Sequence, residues 1–218
     1  MESSYKLDQL LAAAIAAQEI NDGYIGSKDY SQKPKNKVLM MEMIQKSDPK
    51  IEANLDRARE VIQYCQTKMI ELLSGELTQY WQGILKVINK EEIGPKDYND
   101  LGLIASVPSA YQRSVMRDRA INARERAMLT SRHFGEPGEK YEGKVQIISS
   151  IYSVKYKRTW FTAVDHDGNL VNFPHATDLK LDQEYQIKAK VRKHGEDQTT
   201  LLNYVTIVVD SAANDVNM

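Results

Sequence analysis

The sequence predicts an α+β chain: an α-helical N-terminal domain over residues 1–135, a closed five-stranded β-barrel over 136–210, and a flexible tail at 211–218. Apolar side chains recur at steps of three and four as far as Ile88, the spacing of one helix face, and a highly charged helix follows to about Arg132. From Tyr141 onward the pattern changes to short alternating runs, the period of a half-buried strand. Between the two regimes stands Gly135-Glu136-Pro137-Gly138, which stops a helix and supplies a turn.

Residues 5–20 form the first predicted helix, with Leu7, Leu10, Leu11 and Ile15 at helical spacing and an alanine-rich middle. Gly23 to Lys37 is polar, carries Gly26, Pro34 and four lysines, and reads as a loop. A second helix covers Val38–Gln45, its Met40, Met41 and Met43 serving as core filler. Asp48-Pro49 pairs an N-cap residue with proline at the first helical position, opening a helix that runs to Leu73. Ile51, Leu55, Ala58, Ile62, Cys65, Met69 and Leu72 draw its apolar line, and Ser74-Gly75 ends it. Glu76–Ile88 follows, burying Leu77, Trp81, Leu85 and Ile88, so the two form an antiparallel hairpin. Gly94-Pro95 is a break, and Asp97–Ser106 is a short helix closed by Pro108. Ser109 opens the most charged helix, which ends near Arg132.

Five β-like runs follow: Lys144–Tyr156, Thr159–Asp165, Leu170–Phe173, Glu184–Lys193 and Thr200–Val209. The first is long enough to serve two sheet surfaces. Asp165-His166-Asp167-Gly168-Asn169 joins the second and third, its Asp-Gly pair favouring the positive φ of a tight hairpin. A non-strand piece, Pro174 to Leu181, precedes the second hairpin. A long strand, a hairpin, a crossing element and another hairpin are the order of an OB-like barrel, a fold that by itself does not give function.

The chain has 218 residues, 42% hydrophobic and 27% charged, with a net charge of −1, so attraction to a polyanion has to come from local patches. Cys65 alone excludes an internal disulfide framework and a Cys-rich zinc site, and fits a reducing cytosol. It sits on an apolar line and reads as an inert buried thiol. Leu10–Ala17 is too short to span a bilayer, so a cytoplasmic protein without a membrane partner is expected. No phosphate-binding glycine loop, His-Glu-x-x-His or Gly-x-Ser-x-Gly occurs. His133, His166, His175 and His194 lack metal-ligand spacing, and a calcium loop opening at Asp165 would need glutamate where Ala176 stands. No catalytic residue, metal or cofactor is therefore expected.

Two surfaces carry candidate chemistry. The charged helix holds six arginines against two carboxylates over residues 113–132, with Arg113, Arg117 and Arg124 in one narrow sector. Guanidinium groups in such a row fork onto phosphates, or alternatively pair with acids such as Glu52, Asp56 and Glu60. In the barrel, Lys188, Lys190 and Arg192 alternate with Tyr185, Ile187, Ala189 and Val191, which leaves the cations outside. The turn after the first run reads Lys155-Tyr156-Lys157-Arg158, and that after the fourth begins Lys193-His194. Tyr152, Tyr156, Trp160 and Phe173 are the candidate stacking rings, and the alternative place for Trp160 and above all Phe173 is the core, since a small barrel needs large side chains there. Trp160 and Phe161 adjoin, so one points inward and one outward, and alternation does not say which.

Ser131-Arg132-His133-Phe134-Gly135-Glu136-Pro137-Gly138-Glu139-Lys140, with Asp167-Gly168-Asn169 and Lys193-His194 before Gln198-Thr199 and Leu201, resembles a barrel module of bacteriophage-encoded proteins. Leu101 to Pro108 is similar to their helical lead-in. The resemblance implies a phage origin and a DNA-replication or recombination context. Paired Cys motifs found in many such proteins are missing here, so no zinc-dependent role follows. The expected function is non-catalytic binding of single-stranded DNA or RNA. The alternative is a protein-interaction subunit or inhibitor whose partners are replication or host proteins.

Overall fold

The computed structural model describes residues 4–75, 77–195 and 197–208; Val209, Asp210 and the tail at 211–218 lie outside these described residues. The chain divides into two compact units, Met1–Val115 and Met116–Met218. The division falls ahead of the Gly135–Gly138 turn, at which the sequence reading places the boundary.

The first unit opens with β1 (Tyr5–Lys6) and α1 (Leu7–Asn21). Leu10, Leu11 and Ala12 through Ala14 of α1 are wholly buried, so the middle of this helix is apolar on every side and lies in the unit's core. Alanine lets α2 (Asn36–Lys46), α3 (Pro49–Ala53) and α4 (Leu55–Thr67) pack closely against it. The loop before α2 is fastened by the buried Asn36. Its Oδ1 accepts from Asn21 Nδ2 and Ile25 N, both at 2.8 Å, while its Nδ2 donates to the Gly23 carbonyl.

The long helix expected from Pro49 to Leu73 is three helices, ending with α5 (Met69–Leu73). The first break is at Asn54, whose φ of −110° and ψ of 4° are not helical. Asn54 Nδ2 donates back to the Lys50 carbonyl, a local bond of the sort that competes with helix propagation. α6 (Gln79–Ile88) is capped by Thr78, and β2 (Glu92–Ile93) pairs with β1. α7 (Asp100–Ile104) precedes α8 (Val107–Thr130). Pro108 lies inside the first turn of α8, where a missing N–H costs nothing, instead of closing the preceding helix. Cys65 is buried, as its place on the apolar line predicts, and burial pushes its thiol up to about 12.

In the second unit β3 (Lys140–Ser153), β4 (Arg158–Asp165), β5 (Leu170–His175), β6 (Glu184–His194) and β7 (Thr200–Val208) close a barrel in the order β3-β4-β5-β7-β6. Only β5 and β7 are parallel. The first part of β3 pairs with β6 and the second with β4, so one strand serves both sides. Its start at Lys140 precedes the expected Lys144, and its end at Ser153 precedes Tyr156. Phe161 and Phe173 fill the core with ring centroids 5.9 Å apart, which puts Trp160 outside.

The second half of α8 packs on the barrel exterior. Ala127 meets Leu170 and Ile148, the unpaired residue of a bulge between Ile147 and Ser149. The buried Ser131 hydroxyl donates to the Gln198 carbonyl at 2.8 Å and accepts from Leu170 N at 2.9 Å. Gly135 follows with φ 63°, and a Cβ there would come within 2.9 Å of Val191 Cγ2. The Asp165–Asn169 hairpin forms as its sequence predicts, with Gly168 at φ 85° and Asp165 Oδ1 accepting from Asp167 N and Asn169 N.

Candidate nucleic-acid interface

The β3–β4 turn concentrates the sequence-predicted residues. Ser153 and Arg158 are the last paired residues, so Val154 to Lys157 form the turn, with Lys157 in the left-handed region at φ 49°. Tyr156 is 61% exposed and Tyr152 is 60% exposed. Lys155 Nζ stands 5.4 Å from the Tyr156 ring centroid, within cation–π range. Lys155, Lys157 and Arg158 are all exposed, and no aspartate or glutamate occurs from Gln146 to Val164. Trp160 is half-buried on the outer face, opposite Ile151 on β3 and Pro174 on β5. Thr162 and Asn172 are the next pair along that face.

The cations of β6 lie elsewhere. Lys188 is paired with the Glu142 carboxylate at 3.2 Å. Lys190 stands opposite Lys140 and 6.0 Å from the centroid of the Tyr204 ring. Lys140 and Ile151, which mark the two patches, are separated by on the order of 35 Å of strand at ~3.3 Å per residue. The structure therefore gathers Lys155, Tyr156, Lys157, Arg158 and Trp160 in one place, and Lys188, Lys190 and Arg192 in another.

Lys193 is exposed and opposite Leu201 of β7. His194 is engaged within the fold: Nε2 donates to the Gly135 carbonyl at 2.9 Å, and its ring stacks on His133 with centroids 4.5 Å apart. Arg113, Arg117 and Arg124 are exposed on α8, the first in the helical unit and the other two in the barrel unit. The Arg124 guanidinium is paired with the Asp197 carboxylate of the β6–β7 loop. Burial raises the Asp197 carboxyl, and hydrogen bonds with Thr199 and Arg124 outweigh it, holding the group below its ordinary value.

Sequence reasoning missed Tyr204, which is 80% exposed beside Lys190. Alternation from the buried Leu202 would send this ring inward. Instead Tyr204 and Val205 together face Ala189, because Lys190 pairs with Asn203 and Lys188 with Thr206. This bulge puts Tyr204 at φ 52° and turns its ring outward. No residue pattern in the strand announces it.

Among the described residues no three His, Cys, Asp or Glu side chains are grouped to hold a metal ion, and no helix is long and apolar enough to cross a membrane. No protein-family model, curated protein or solved structure matches the chain.

Proposed function

We propose that the barrel binds single-stranded nucleic acid without transforming it. Lys155, Lys157 and Arg158 meet backbone phosphates, and unpaired bases stack on Tyr156, Tyr152 and Trp160. One observation carries this reading: exposed rings and cations alternate at the β3–β4 turn, in a stretch from Gln146 to Val164 free of carboxylates. Rings accept any base through its π-face, while the cations follow the backbone. The adjoining outer face of the second and third barrel strands is where OB-like barrels take oligonucleotides, which supports the site by analogy of fold. Arg117 is available for a further phosphate, and Arg124 steadies the Asp197 loop. The replication or recombination setting of a bacteriophage is carried over from the resemblance in sequence alone.

Fluorescence anisotropy with labelled oligo(dT) and oligo(rU) tests the reading. Neutralising three phosphates predicts an affinity about 20-fold weaker at 200 mM than at 50 mM salt, from a slope near −0.7 per contact. Tyr156→Ala is expected to weaken binding by ~1–3 kcal/mol, the worth of one stacked base. Binding of neither oligomer, or binding indifferent to salt, removes the proposal.

A second reading has its own support. Ile151 and Val154 are exposed beside the same rings, and Ile70 and Leu73 are exposed on α5. Apolar groups in that number favour docking to a protein, with the chain as a subunit or inhibitor of a larger complex. A stable partner in a pull-down, together with no oligonucleotide binding, would decide for it.

A further inference from the structure

We propose that the strand-binding track continues across the barrel onto the outer face of β6 and β7, where Lys190, Tyr204 and Arg192 form a second contact station. The inference rests on the nucleic-acid reading above and adds the length and course of the bound strand.

The bulges provide the first support. On β6 and β7 the register slips twice: Tyr204 and Val205 share the place opposite Ala189, and Arg192 is the extra residue between Val191 and Lys193. Tyr204 and Arg192 are exposed, and a tyrosine at φ 52° occupies backbone space that bulky side chains rarely adopt. Bulges re-aim side chains next to functional sites, and here both produce members of one cationic, aromatic patch.

Charge provides the second. Lys190 and Lys140 are directly opposed across β6 and β3, an arrangement that costs stability when nothing intervenes. Two residues along the same face, Lys188 and Glu142 are matched. Among the described residues neither Lys190 nor Lys140 has a carboxylate partner, and Lys190 stands over the exposed Tyr204 ring. A polyanion with stackable faces answers both features at once. Protein carboxylates would answer only the charge.

The register supplies the connection. Thr162, Asn172, Leu201 and Lys193 are successive cross-strand partners from β4 through β5 and β7 to β6. From Trp160 to Lys190 this row gives a route on the order of 30 Å, taking ~4.8 Å between strands and ~3.3 Å per residue along them. Single strands occupy roughly 4–16 nucleotides on a barrel of this kind, so a tetramer covers the first station and a dodecamer reaches both.

The test compares oligo(dT) and oligo(rU) of four and twelve nucleotides on the full chain and on the double variant Lys190→Glu, Tyr204→Asn. Asparagine is chosen because it tolerates positive φ. The expected result is tetramer affinity within twofold of the parent and dodecamer affinity at least tenfold weaker. The remaining dodecamer advantage should fall to the statistical factor of about nine for tetramer registers on a twelve-mer. Lys140→Glu should reproduce part of the loss, and the equal charge change Lys86→Glu, on the exposed side of α6, should not. A dodecamer that loses nothing in the double variant, or as much in Lys86→Glu, overturns the second station while leaving the first intact. Binding of neither length by the parent chain overturns both.

Discussion

At the scale of single residues, chemistry here depends on which side chains the fold leaves in water. Cys65 is the clearest case of one withheld: burial pushes its thiol from an ordinary 9.0 to about 12. Above pH 9 the unfolded chain releases that proton while the folded chain keeps it until about 12. The unfolded state then binds fewer protons, so this group's stabilisation is complete below that window and declines as pH rises through it. A thiol reagent at pH 8 is expected to label the folded protein slowly and the denatured protein fast; fast labelling of the folded form would contradict the buried site. Burial of Cys65 was legible from its place on an apolar line at helical spacing. The inward turn of Phe161 and outward turn of Trp160 were not, because two adjacent aromatics satisfy strand alternation either way. Tyr204 was hidden for another reason: a backbone irregularity, not a residue type, decides where its ring points.

Among the elements, those with explicit end signals were the legible ones. Asp48 accepts a hydrogen bond from Lys50 N at the start of α3, and the Asp165–Asn169 hairpin closes about its own aspartate. Helix α6 starts later than its apolar pattern implies, because the Thr78 hydroxyl accepts from Trp81 N and sets the first turn at Gln79. Thr78→Ala is expected to cost ~1 kcal/mol, and Thr78→Ser to recover most of it, by denaturant titration. Equal stability of all three would mean that the cap is not populated. The division of the Pro49–Leu73 stretch was illegible from periodicity, since α3, α4 and α5 continue nearly the same apolar line across Asn54 and Lys68. At Asn54 a side-chain hydrogen bond to the Lys50 carbonyl accompanies the break, and a hydrophobic pattern does not record it.

For the molecule as a whole, the five β-like runs and their order were enough to foresee a closed barrel, and the helical repeat enough to foresee a separate α-helical body. The assignment of α8 was harder, because a continuous helix carries no internal mark of where its allegiance changes. Its second half belongs with the barrel through Ala127 and the Ser131 hydroxyl. A fragment of residues 116–208 should therefore melt cooperatively, and one of 136–208 at a lower temperature. The two Ser131 hydrogen bonds alone are worth ~0.5–1.5 kcal/mol each. Identical thermal melts by circular dichroism would show that the helix adds nothing. The division of cations into two patches was beyond reach of the sequence, since it follows from which half of β3 each neighbour uses. Closure itself has one narrow seam: among the described residues β5 and β7 are joined at Val171–Thr200 and Asn172–Leu201, while each other neighbouring pair of the barrel shares at least six positions. A barrel that breathes will unzip there first, and its momentary rims would be the place where a second chain could add a strand.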